Sequence, residues 1–91
     1  MPKESTIVAA VLKYLRARGY WAAKLHGGPY QMAGLPDVLA IKGGLATWVE
    51  VKRPGEKPTA IQESTMRTLA NAGSIVIVAT SIEDLEAKGV K

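Results

Sequence analysis

The chain has no cysteine and only one histidine, His26. Disulfides cannot support the fold, and thiolate zinc sites and cysteine nucleophiles are excluded. A single imidazole does not build a zinc cluster. A cysteine-free chain suits a reducing cytoplasm, the expected location. No apolar run approaches the ~20 residues that span a bilayer, so no membrane partner is expected. The opening MPKESTIVAA has one lysine, then an acid, and no long apolar region; it does not read as a secretory signal. There is no internal repeat and no low-complexity segment. GGPYQMAG is glycine-containing but lacks the lysine and spacing of a P-loop, which argues against nucleotide binding.

What is present fits one small domain over residues 1–91. Apolar residues make up 47% of the chain, enough for a folded core. A domain this small buries a modest share of its surface, and without disulfides the usual remaining supports are a metal or a second copy. The net charge of +4 and pI near 9.6 favour an anionic partner such as nucleic acid, although ordinary surface lysines give the same figures.

The periodicities alternate between helix and strand. In residues 4–18, Ile7, Val8, Val11, Leu12 and Leu15 recur at helical spacing, and Gly19 follows as a stop. YWAAKLH (20–26) reads as a strand, and GGPYQMAG (27–34) as a turn-rich segment. Asp37–Lys42 and Leu45–Lys52 read as strands joined by Gly43-Gly44, a strong hairpin signal. RPGEKP is a loop. A helix opens at Pro58 or Thr59 and runs to about Ala72, before Gly73. SIVIVAT (74–80) is a continuous apolar run, typical of a strand buried on both faces. Ser81 with Asp84 forms a capping box for a short last helix ending near Lys88. The order α-β-β-β-α-β-α predicts an α/β fold, a mixed sheet flanked by helices, with a helical crossover before the last strand.

Centring the hairpin on Gly43-Gly44 pairs Lys42 with Leu45, Ile41 with Ala46, Leu39 with Trp48 and Val38 with Val49. Asp37 then falls opposite Glu50. Alternation puts Asp37, Leu39, Ile41, Trp48, Glu50 and Lys52 on one face. The two carboxylates lie with Cβ atoms roughly 5 Å apart, a repulsive arrangement that a cation between them relieves. Lys52 is the next residue along that face. These charges form a candidate metal site with an adjacent catalytic lysine. The other reading is a solvated outer face of mutually neutralising charges. The apolar Leu39, Ile41 and Trp48 suggest instead that this face is buried toward a helix, where an uncompensated acid pair costs several kcal/mol.

Pro36-Asp37 followed by Glu50-Val51-Lys52 resembles the PD-(D/E)XK nuclease signature. The wider set of Glu4, Gly34-Leu35-Pro36-Asp37, Val49 to Pro54 (VEVKRP) and Gln62 resembles the VRR-NUC family, the virus-type replication-repair nucleases, over nearly the whole chain. The resemblance implies a restriction-endonuclease-like αβββαβ core and Mg²⁺- or Mn²⁺-dependent phosphodiester hydrolysis. It also implies a short free-standing phage-type protein, hence host cytoplasm, a homodimer, and branched DNA such as a four-way (Holliday) junction as substrate.

On this resemblance Asp37 and Glu50 bind the metal, and the Val51 backbone carbonyl adds a third protein oxygen. Lys52 stabilises developing negative charge; its other reading is a salt-bridge partner for Glu50. Glu4 shares a helix stripe with Val8, Val11 and Leu15, so it either points inward as another acid or is a first-turn glutamate favoured by the helix dipole. Gln62 either orients water or phosphate or is an exposed helix residue. Lys24, Arg53 and Lys57 are candidate phosphate contacts, with His26 a weaker one. Tyr30 and Gln31 lie in the segment before Pro36, either a loop that closes over substrate or a plain connection. Trp48 reads as core, and Trp21 as core or a subunit contact. Two classes of function follow: a metal-dependent structure-selective DNA endonuclease, and a non-catalytic nucleic-acid-binding module on the same fold. A third, an interaction domain indifferent to nucleic acid, predicts no effect of divalent metal on stability.

Overall fold

The computed structural model describes residues 2–25 and 31–91. Helix α1 (Glu4–Ala17) leads into β1 (Trp21–Lys24), β2 (Val38–Lys42) and β3 (Leu45–Val51). Helix α2 (Ala60–Asn71), β4 (Ile75–Ala79) and α3 (Ile82–Ala87) complete the chain. The sheet has four strands in the order β1-β2-β3-β4. The first three form an antiparallel meander, and β4 lies parallel to β3 after the α2 crossover. This is the α/β architecture expected, a mixed sheet flanked by helices.

The Gly43-Gly44 hairpin has the predicted register, with Lys42 opposite Leu45 and Val38 opposite Val49. Both glycines have positive φ, +60° and +78°, the paired left-handed conformation that a two-residue hairpin turn requires. The first strand is shorter than the seven residues expected, four rather than seven, ending at Lys24.

The sheet's two faces are unequal. Val38, Ala40, Thr47, Val49, Val51, Ile77 and Ala79 are buried on one face. There α1 packs across β1, β2 and β3, and α3 beside it on β4. Ile7, Val8, Val11, Tyr14 and Leu15 of α1 and Leu85 of α3 complete this core. The Tyr14 hydroxyl donates to the Val90 carbonyl at 2.7 Å, fastening the C-terminal residues to α1.

The opposite face carries α2, which packs on β4. Leu39 and Trp48 are therefore only half-buried, Ile41 is exposed, and Trp21, its partner across the ladder, is 59% exposed. Among the described residues the expected helix cover is partial: α2 packs on β4 and reaches this face only at Glu50 through Gln62, leaving Ile41 and Trp21 open. Strand β4 also differs from expectation. It is an edge strand, with Ile77 and Ala79 buried, Val76 and Val78 half-buried and Ile75 exposed. Its apolar run reflects the helices on either side rather than a central place in the sheet.

Both edges are met by side chains. Arg16 donates to the Ala22 carbonyl on β1 through Nε at 3.1 Å and Nη2 at 2.8 Å. On β4, Lys88 Nζ donates to the Val78 carbonyl at 2.6 Å, and Asp84 Oδ2 accepts the Thr80 N–H at 3.0 Å. Ser81 caps α3 through the Asp84 N–H at 3.0 Å, while Asp84 reaches back to Thr80 rather than to Ser81.

A Cβ at Gly44 would meet nothing within 4 Å, so its cost is that of backbone conformation alone. Gly44→Ala is expected to lose about 1–2 kcal/mol in urea denaturation with an unchanged m-value.

Candidate active site

The site forms where β2 and β3 diverge. Pro36, fully buried, has no N–H to continue the ladder. The Asp37 carbonyl still accepts from Leu25 N–H at 2.8 Å, extending the pairing toward the β1 side. Its carboxylate turns to β3, where Oδ2 accepts the Val51 N–H at 2.8 Å. A side chain thus closes the gap that the departing strand leaves, and it brings Asp37 to the Glu50 end of β3.

Glu50 is 1% exposed. Its Oε2 accepts from Gln62 Nε2 at 3.1 Å and lies 3.4 Å from Lys52 Nζ. Its Oε1 is buried and has no hydrogen-bond partner among the described residues. Burial pushes the Glu50 carboxyl up, and Asp37 adds to the shift; Lys52 opposes it, leaving a value of about 7 against an ordinary 4.5. Glu4, half-buried in the first turn of α1, contributes a smaller upward push from its negative charge.

Gln62 has two tasks. Its Oε1 accepts the Thr59 N–H at 2.9 Å, while Thr59 Oγ1 accepts the Gln62 N–H at 3.2 Å. This reciprocal capping box opens α2 and assigns the amide: the oxygen is used by the cap, so the nitrogen faces Glu50. The Thr59-x-x-Gln62 spacing carried that signal in the sequence.

The fold brings Asp37, Glu50, Lys52 and Gln62 together. Arg53 is paired with Glu56 in the next loop, Nη2 to Oε2 at 3.2 Å, which holds the Glu56 carboxyl below its ordinary range. Lys57 is exposed in that loop. Lys24 pairs with Val38, so it shares the parity of the α1-covered face, opposite to Glu50. His26 and Tyr30 lie outside the described residues. Trp48 is half-buried, with a buried indole N–H that has no partner among the described residues. A cleft of about 380 Å³ opens beside Asp37, lined by Leu25, Gln31, Met32 and the 33–36 segment.

No group of three or more His, Cys, Asp or Glu that could hold a metal is found among the described residues, so Glu4 does not complete a three-acid cluster. The two carboxylates still suit a hard cation such as Mg²⁺, which is commonly held by one or two carboxylates and keeps several waters. The unpaired Glu50 Oε1 is the buried acceptor such an ion would satisfy.

No family model matches the chain, and no curated protein matches it. Solved structures do. The chain superposes on a structure described as "VRR_NUC domain" with a TM-score of 0.81 and 25% identity, covering 96% of this chain and 94% of the other. The chain shares the fold of this VRR_NUC domain. A second structure, "VRR_NUC domain protein", superposes with a TM-score of 0.78 at 18% identity, covering 96% of this chain and 84% of that one, and adds support for the fold. The VRR-NUC resemblance carried by GLPD, EVK and Gln62 is thus matched by overall architecture.

The folded-state value for Glu50 lies above the unfolded one, so folding takes up a proton between about pH 4.5 and 7, and stability falls as pH rises through that window. The metal-free protein should lose on the order of 3 kcal/mol across it. Glu50→Gln should flatten this pH dependence in thermal melts and be the more stable protein at pH 8.

Proposed function

We infer that this VRR-NUC-type domain is a metal-dependent, structure-selective DNA endonuclease that hydrolyses phosphodiester bonds. The observation that carries this reading is the buried Glu50, with one oxygen unpaired, beside Asp37 and 3.4 Å from the Lys52 ammonium. A domain that only needed a stable sheet would gain by replacing this acid with an apolar residue.

Asp37 and Glu50 would hold Mg²⁺ or Mn²⁺, with the Val51 carbonyl as a third protein oxygen. When bound, the ion supplies positive charge to the phosphate and lowers the pKa of a coordinated water. The protein's own groups have separate tasks. Gln62 restrains Glu50 Oε2 and leaves Oε1 open. The Val51 N–H restrains Asp37 Oδ2. Lys52 contributes a fixed ammonium where negative charge grows on the phosphate. Glu4 adds negative potential toward the cation. Lys57, and Arg53 when released from Glu56, would supply phosphate contacts, which carry affinity and little sequence information; Lys24 lies on the face opposite Glu50 and is not placed for this site.

Branched DNA, such as a four-way junction, is the proposed substrate, and a homodimer the proposed assembly. A two-fold pair presents two sites, matching the two cuts of symmetric junction resolution. A non-catalytic nucleic-acid-binding module is the second reading. It is favoured by the partial compensation Glu50 already receives from Lys52 and Gln62.

End-labelled four-way junction, flap, single-stranded and duplex DNA, incubated with Mg²⁺, Mn²⁺ or EDTA, test the reading. Cleavage is expected with either cation, absent in EDTA, abolished in Asp37→Asn and reduced ~100-fold or more in Lys52→Ala. DNA binding without products under any condition would favour the module. Light scattering should give a dimer at micromolar concentration; a monomer would count against the two-site arrangement.

A further inference from the structure

The acid pair is restrained from two directions, and the first turns of α2 supply both. Gln62 holds Glu50. Three residues on, the Thr65 hydroxyl donates to the Ala33 carbonyl at 2.9 Å. Ala33 belongs to the segment that delivers Asp37 to the site. At Gly34, φ is +80°, and a Cβ there would come within 2.7 Å of both the Ile61 carbonyl oxygen and Thr65 Oγ1. The segment therefore lies directly on the helix, with no room for a side chain between them. Two residues later, Pro36 is locked in the interior. From Ala33 to Asp37 the chain has one anchor on α2, one in the core and two at Asp37, whose carbonyl accepts the Leu25 N–H and whose carboxylate accepts the Val51 N–H.

We propose that Thr65 is a positioning residue for Asp37: its hydroxyl clamps the Ala33-Gly34 turn to α2, so one helix sets the placement of both acids. The metal arm of this inference rests on the nuclease reading; the geometric arm does not. Ile61, Gln62 and Thr65 occupy adjacent turns of one rigid element. Releasing Thr65 frees the Asp37 side while leaving the Gln62 hold on Glu50 in place.

Thr65→Val is close in shape and lacks the donor; Thr65→Ser keeps it. Two readouts separate positioning from general stability, both taken where circular dichroism shows the variants fully folded. The first is the amide proton of Val51, whose chemical shift and hydrogen exchange report its bond to Asp37, with Asp37→Ala as the reference for a lost bond. The second is Mn²⁺ affinity without DNA, followed by electron paramagnetic resonance. Thr65→Val should move the Val51 amide toward the Asp37→Ala position and weaken Mn²⁺ binding about tenfold, with Thr65→Ser close to wild type on both. An unmoved Val51 amide in Thr65→Val, or equal changes in the Val and Ser variants, would overturn the proposal. If the wild-type protein binds no Mn²⁺, the metal reading fails, and the Val51 amide alone still decides whether Thr65 positions Asp37.

Discussion

Everything at the functional end of this molecule is arranged around one buried carboxylate. Glu50 sits at the end of β3 with almost no exposure, and an acid in that place costs several kcal/mol unless it is compensated. Lys52, two residues along the same face, provides charge. Gln62 provides a hydrogen bond, and it can do so only because its oxygen is engaged by Thr59. The start of α2 and the state of Glu50 are therefore one local problem with one solution. Asp37 worsens the repulsion, and the Val51 N–H helps to hold its carboxylate there.

The two faces of the sheet differ in what they bury. The face under α1 and α3 is a continuous apolar core from Ile7 to Val90. The other face carries the acids, the lysine and α2, and toward β1 it stays open at Trp21 and Ile41. Hydrophobic burial on the first face can tolerate an uncompensated oxygen on the second. The unpaired Glu50 Oε1 and Trp48 Nε1 both belong to strand positions on that second face.

Much of this was legible in the sequence. The Gly43-Gly44 turn set a register, and counting outward from it placed Asp37 against Glu50 on the face of Lys52. Period-two and helical patterns located the elements within a few residues. Two things were not legible. Which face of the hairpin a helix covers depends on where the α2 crossover lands, a tertiary choice that Leu39, Ile41 and Trp48 do not encode. Side-chain-to-backbone contacts such as Thr65 to Ala33 join residues far apart in sequence and leave no periodic trace. Gln62 lay between these cases. The Thr-x-x-Gln spacing announced a cap, but the use of its amide nitrogen for Glu50 follows only from the packing of α2 on β4.

The side chains at the sheet edges bear on whether the sheet can take on further strands. An uncharged apolar edge strand such as IVIVA presents unpaired backbone groups to which a further strand could add, a risk that its shortness already reduces. Here Lys88 and Asp84 occupy the Val78 carbonyl and the Thr80 N–H, and Arg16 occupies the Ala22 carbonyl at the far side. An incoming strand would meet charged side chains at these three backbone groups. Among the described residues the sheet stops at four strands, and a few long side chains rather than barrel closure guard part of each edge.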